Sequence, residues 1–228
     1  MLYYILFSSN LTAQEAVVIF LITLVAFFVS LAVHEFAHGF TATKMGDPTP
    51  KLAGRVTLNP FKHISLSGLL CFALLGVGWA KPMPINPLNF KKYRKGIRLT
   101  SIAGILANFI LGLICAIIFA LIVAFAPVSN VYIEYILLLL QYFMLVNSFL
   151  ALFNIIPIYP LDGFNFITSF MKADNKFIQY NVRNGFKILL GILLATVLID
   201  LLFGFDIFDF YLSLIYNYIY IPIGFLGV

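Results

Sequence analysis

A chain of 228 residues that is 62% hydrophobic, 17% aromatic and only 10% charged, with a mean hydropathy of +1.03, is too apolar for a water-soluble domain and falls in the membrane class. Its length suits an all-α polytopic bundle of about four to six transmembrane helices, with residues 1–228 forming a single integral membrane domain. The net charge of +5 does not point to nucleic acid as a partner, because the basic residues border the apolar runs and no recognition motif accompanies them.

All fourteen Lys and Arg lie in three windows, Lys44 to Lys62, Lys81 to Arg98 and Lys172 to Lys187. The positive-inside rule puts these windows in the cytoplasm and makes the chain a multi-pass protein of the cell membrane. Cys71 and Cys115 sit in apolar stretches and read as core residues, with neither a disulfide framework nor a CxxC pair. Met1 to Asn10 has no basic n-region and no small-residue cleavage site, so no removable signal peptide is expected.

In chain order, Thr12-Ala13-Gln14-Glu15 reads as a capping box that opens a helix running to Met45, with Gly46 as its stop and Pro48 just beyond. Such a helix, about 33 residues and about 50 Å long, protrudes from the hydrocarbon core on the cytoplasmic side. Residues 47–65 read as turns with short extended pieces such as Arg55-Val56-Thr57-Leu58. Leu66 to Ala80 is too short to span, and with basic residues on both flanks it predicts a re-entrant or short β segment between the first and second core spans. Residues 82–90, with Pro82, Pro84 and Pro87, form a loop near the membrane surface.

A spanning helix is expected from about Leu99 to Ala126, with Ser101, Ala103, Gly104, Ala107 and Gly112 as a small-residue packing face and Asn108 upon it. After a turn around Pro127 to Val131, a return helix covers about Tyr132 to Ile156 and carries Asn147 and Asn154 on one face. Pro157 and Pro160 break its hydrogen-bond ladder, so Asp162 is expected on unwound backbone that lines a polar cavity. Residues 164–187 read as a mixed connector and Lys187 to Phe205 as an outward span. Phe210 to Val228 reads as a final span or an interfacial segment.

Two of the three histidines and one of the three glutamates fall in His34-Glu35-Phe36-Ala37-His38. On a helix, His34 and His38 lie one turn apart and aim both imidazoles the same way, the arrangement that binds Zn2+, while Glu35 lies about 100° round to handle a proton. Ionisable groups at membrane depth cost on the order of 2.5–3.5 kcal/mol each, so three together imply a partner that offsets this. Lys44 follows His38 by about 9 Å along the axis, which sets the site near the cytoplasmic edge. A catalytic zinc keeps three protein ligands and one open position. Thr41 and Lys44 stand where the extended three-histidine motif requires Gly and His, leaving Asp47, His63, Glu134 and Asp162 as candidates for the third ligand. Glu134 falls at the far end of its helix and Asp47 reads as a solvated turn residue. Asp162 arrives at the same depth as the histidines and ranks first, with His63 the alternative metal ligand.

His34-Glu35-Phe36-Ala37-His38-Gly39 and Asn154-Ile155-Ile156-Pro157-Ile158-Tyr159-Pro160-Leu161-Asp162-Gly163 resemble the two metal motifs of the site-2 protease family of intramembrane zinc metalloproteases. The stretches Thr57-Leu58-Asn59-Pro60-Phe61-Lys62-His63 and Gly78-Trp79-Ala80-Lys81-Pro82-Met83-Pro84-Ile85-Asn86-Pro87 resemble a compact bacterial branch lacking a PDZ domain. Two departures are Ile105, where the family often has Pro, and Ser65, where many members have Asp.

The resemblance implies a protease core over residues 12–170 followed by C-terminal helices over 187–228, one Zn2+ per chain, and regulated intramembrane proteolysis of a membrane protein substrate with a transmembrane segment. In this reading Glu35 is the catalytic base and His34, His38 and Asp162 hold the metal. Asn108, Asn147 and Asn154 are candidates for oxyanion or substrate-strand contacts. An extended edge in residues 52–58 is a candidate for holding the unwound substrate. The alternative is a zinc-binding membrane transporter or sensor without hydrolysis, which accounts for the ligands but gives Glu35 no task.

Overall fold

The computed structural model describes residues 12–75, 78–126, 130–172 and 174–203, which are mostly helical, with no strand among them. The elements are α1 (Ala13–Met45), α2 (Thr49–Leu52), α3 (Leu66–Leu75), α4 (Tyr93–Phe125), α5 (Val131–Asn154), α6 (Asp162–Thr168) and α7 (Lys176–Phe203). Among the described residues, α1, α4 and α5 are long and apolar enough to cross a membrane, so the chain is an all-α polytopic membrane protein.

Local chemistry fixes both ends of α1. The Thr12 hydroxyl accepts from the Glu15 N–H and the Glu15 carboxylate accepts from the Thr12 N–H, a complete capping box. At the other end Gly46, at φ +113°, returns its N–H to the carbonyls of Ala42 and Thr43. Between these caps α1 packs on α4 and α5, and α4 packs on α5. Val17, Leu21 and Val25, one turn apart, stay exposed and form an apolar stripe suited to lipid.

The segment after α1 folds back upon it. Phe72 of α3 stacks on Phe27 of α1 with ring centroids 4.1 Å apart, inside a cluster that includes Phe28, Leu31, Ala80 and Leu150. α3 has ten residues, about 15 Å, and its flanks meet. Ile64 and Ala80 form an antiparallel bridge, and the Lys81 N–H donates to the His63 carbonyl at 2.7 Å. The two flanks of the segment therefore lie together, joined by a β bridge, as a re-entrant course would require.

Several expected boundaries move. α4 begins at Tyr93, six residues before Leu99, because its first turns carry Arg94, Lys95 and Arg98 and are invisible to an apolar criterion. Residues 164–187 are largely helical in α6 and the start of α7, so the expected connector shrinks to residues 169–175. Asp162 is the first residue of α6, not part of the unwound stretch that ends at Leu161. Arg55 to Leu58 form no strand. The Arg55 guanidinium donates to the Lys81 carbonyl at 2.6 Å and the Thr57 carbonyl accepts from the His63 ring, so these contacts pin the segment and occupy a carbonyl that an open edge would need. The expected absence of a leader in Met1 to Asn10, the turn at 127–129 and the tail at 210–228 all lie outside the described residues.

Candidate metal centre

Three elements deliver the candidate ligands and their support. His34 and His38 lie on α1, one turn apart, and Asp162 opens α6, which packs on α4. His34 Nε2 and His38 Nε2 are 2.9 Å apart, and Asp162 Oδ2 lies 3.2 Å from the first and 3.1 Å from the second. Tetrahedral zinc ligands at about 2.0–2.1 Å stand about 3.3 Å from each other, so the triangle matches that chemistry.

The other ring nitrogens are committed elsewhere. His34 Nδ1 lies 2.6 Å from Asn108 Oδ1, and His38 Nδ1 lies 2.7 Å from the Thr100 carbonyl. Both partners are acceptors, so each Nδ1 carries the proton and each Nε2 presents a lone pair. With no N–H facing it, the buried Asp162 Oδ2 has no hydrogen-bond partner. Three buried lone-pair donors converging without a proton between them would repel one another unless a cation sits among them. The residues present fit Zn2+.

Gly104 of α4 completes the wall. A Cβ at this position would overlap His38 Nε2 and His34 Cε1, so only glycine lets the helix approach the imidazoles. Sequence reading assigned Gly104 to helix packing and missed this contact. Its signal was there, since Gly104 and Asn108 stand one turn apart on the face that meets the histidines.

Glu35 lies next to His34 on α1, half-buried, and no hydrogen bond or ion pair to a described residue ties down its carboxylate. Asn108 and Asn147 are fully buried, and their amide nitrogens donate to protein acceptors. Asn154 donates to the Leu150 carbonyl of its own helix at 2.9 Å.

His63, the alternative ligand, is 1% exposed and away from the triangle. Its Nε2–H donates to the Thr57 carbonyl at 2.8 Å and its Nδ1 faces the Arg55 guanidinium at 3.5 Å, so neither nitrogen is free for a metal. Asp47 is not a solvated turn residue. It is fully buried and accepts from the Thr49 N–H and hydroxyl, the Asn89 amide and the Asn86 N–H, which ties the end of α1 to the loop at residues 82–90. Burial alone would raise its pKa, but these hydrogen bonds hold the carboxyl below the usual range.

Sequence comparison places the chain beside curated zinc enzymes. It is 40% identical over 146 residues to the "Putative zinc metalloprotease YwhC" of Bacillus subtilis (strain 168), covering 63% of this chain and 66% of that protein. It is 35% identical over 101 residues to the "Putative zinc metalloprotease Rip2" of Mycolicibacterium smegmatis, covering 42% of this chain and 39% of that protein. Against Rip2 of Mycobacterium tuberculosis the identity is 38% over 65 residues, covering 26% of this chain and 25% of that protein. The chain thus spans just under two thirds of the first relative and less of the others. No family model and no solved structure matches it. By these likenesses, together with its membrane-spanning helices, the chain is similar to proteins named putative zinc metalloproteases.

Proposed function

We propose that this protein is a zinc metalloendopeptidase of the HExxH, site-2 type that hydrolyses peptide bonds in or near transmembrane segments of membrane proteins. The observation that carries this reading is the convergence of His34 Nε2, His38 Nε2 and Asp162 Oδ2 within 3.2 Å, with Glu35 next to His34 on the same helix and hydrogen-bonded to no described residue. A site for storing or passing a metal needs only the first three groups.

His34, His38 and Asp162 hold the metal. Bound zinc supplies Lewis-acid activation of water and of the peptide carbonyl. Glu35 accepts the proton of the attacking water through its carboxylate and passes it to the leaving nitrogen as the C–N bond breaks. Asn108 and Thr100 keep the two imidazoles turned with Nε2 inward throughout. A helical substrate hides its carbonyls in its own hydrogen bonds, so the segment unwinds before cleavage.

The positive-inside rule supports a cytoplasmic position for the site in the cell membrane, since Lys44 lies just beyond His38 and the basic windows flank the re-entrant segment. The test is metal content and cleavage of a model single-span substrate by purified protein in detergent. One zinc per chain, cleavage abolished by a chelator and restored by zinc, and no zinc in Asp162→Ala are the expected results. Full zinc in Asp162→Ala would overturn the ligand set, and cleavage that survives complete chelation would overturn the reaction.

A further inference from the structure

A buried chain of polar groups runs from the bundle interior to the metal centre, and the chemistry above uses its last link, Asn108, but not Asn147 behind it. Asn147 of α5, Asn108 of α4 and Ser30 of α1 are each 0% exposed, and Ser30 stands one turn before His34 on the same face. Asn147 Nδ2 donates to the Ser30 hydroxyl at 2.7 Å and to the Phe143 carbonyl at 2.8 Å. Asn108 Nδ2 donates to Asn147 Oδ1 at 2.8 Å and to the Ser30 carbonyl at 3.3 Å. Asn108 Oδ1 then faces His34 Nδ1 at 2.6 Å.

The order of these bonds leaves one solution. The Phe143 and Ser30 backbone carbonyls are acceptors only, so the amide ends that face them must be NH2. This turns Asn147 Oδ1 toward Asn108 and Asn108 Oδ1 toward His34. The only hydrogen-bonding partner Oδ1 can take is a donor, so His34 Nδ1 must carry the proton. Flipping either amide would set oxygen against oxygen in a buried position, which burial makes costly.

We propose that Asn147 is a positioning residue for the metal centre: through Asn108, with two backbone carbonyls as the fixed reference, it locks His34 in the Nδ1–H tautomer and so presets Nε2 as the ligand atom before metal arrives. Asn147 touches neither metal nor substrate. The tautomer lock is a property of the protein alone, and only its purpose rests on the zinc protease reading.

The chain has three histidines, so protein labelled with 15N-histidine gives a short spectrum in which each ring's tautomer is read directly. Metal-free protein in detergent, at a pH where the rings are neutral, is expected to show His34 protonated at Nδ1. In Asn147→Leu, Asn108 keeps only the weaker tether to Ser30, and His34 is expected to become a mixture of tautomers while His38, held by Thr100, is unchanged. Zinc affinity measured by chelator competition is expected to fall about 10-fold, the low end for lost outer-sphere support. Asn147→Ala serves as a second variant if leucine does not fold, with unchanged His38 and His63 signals as the sign of an intact bundle.

His34 protonated at Nε2 in the wild type would overturn the proposal, as would a folded variant whose His34 tautomer matches wild type. A locked tautomer in a protein that takes up no zinc would leave the lock standing and remove the metal reading instead.

Discussion

Gly104 presses its backbone against both imidazoles, leaving no space for a methyl group. Gly104→Ala is expected to displace at least one ring and weaken zinc binding about 10- to 100-fold, as loss of outer-sphere support does elsewhere. Chelator competition measures this, and an unchanged affinity would show that the wall at Gly104 yields freely. Asp47 offers a second test away from the metal. Its carboxyl is held below its ordinary pKa, so the stabilisation is full above the unfolded value near 3.9 and is lost as pH falls through the lower folded value. Thermal unfolding of wild type is therefore expected to lose stability below about pH 4, while Asp47→Asn starts about 2 kcal/mol less stable, the scale of hydrogen bonds to a charged group, and is flatter across that window. A variant as stable as wild type at pH 7 would contradict the account of Asp47. The pairing of His34 and His38 on one helix face was legible in the sequence because one helical turn contains the whole relation. The burial of Asp47 and the outer role of Asn108 and Asn147 were not, because the contacts that reveal them, Asn86 with Asp47 and Asn108 with Asn147, join residues 39 positions apart and a polar residue in a turn or an apolar run looks the same whether it faces water, substrate or another amide.

At the level of elements, α3 and its flanks decide the topology. With Ile64 bridged to Ala80, Lys62 and Lys81 must lie on the same side of the membrane, and both are exposed. In a background without Cys71 and Cys115, single cysteines at Lys62→Cys and Lys81→Cys are expected to react with a membrane-impermeant thiol reagent from the same side. Reaction from opposite sides would make residues 66–80 a true span and reverse the orientation of every later helix. The substrate gives a complementary test: a glycine or proline placed near the scissile bond is expected to raise the cleavage rate by easing local unwinding. No response would remove unwinding as a step. The capping box at Thr12 and the stop at Gly46 could be read from sequence because caps are local chemistry. The starts of α4 at Tyr93 and α7 at Lys176 could not, since their first turns are polar and packing, not apolar periodicity, extends them.

For the whole molecule, α1, α4 and α5 form a bundle in which a polar line runs from Ser30 and Asn147 through Asn108 to the metal triangle, and the folded-back segment 64–80 covers α1 alongside it. The arrangement of a metal site on a membrane helix was visible from two short motifs and the windows of basic charge. How α4 closes on that site was not, because it depends on one missing methyl group at Gly104. The reading stands or falls on Glu35, the one member of the constellation that a purely metal-holding protein would not need. The decisive measurement is cleavage of a model single-span substrate in detergent by wild type and by Glu35→Gln, with zinc content determined on the same samples. Wild type is expected to cut and Glu35→Gln to retain one zinc per chain while leaving the substrate intact. Equal cleavage by a fully zinc-loaded Glu35→Gln would contradict the assignment of the proton step, and with it the claim that this centre is a protease site of the HExxH kind.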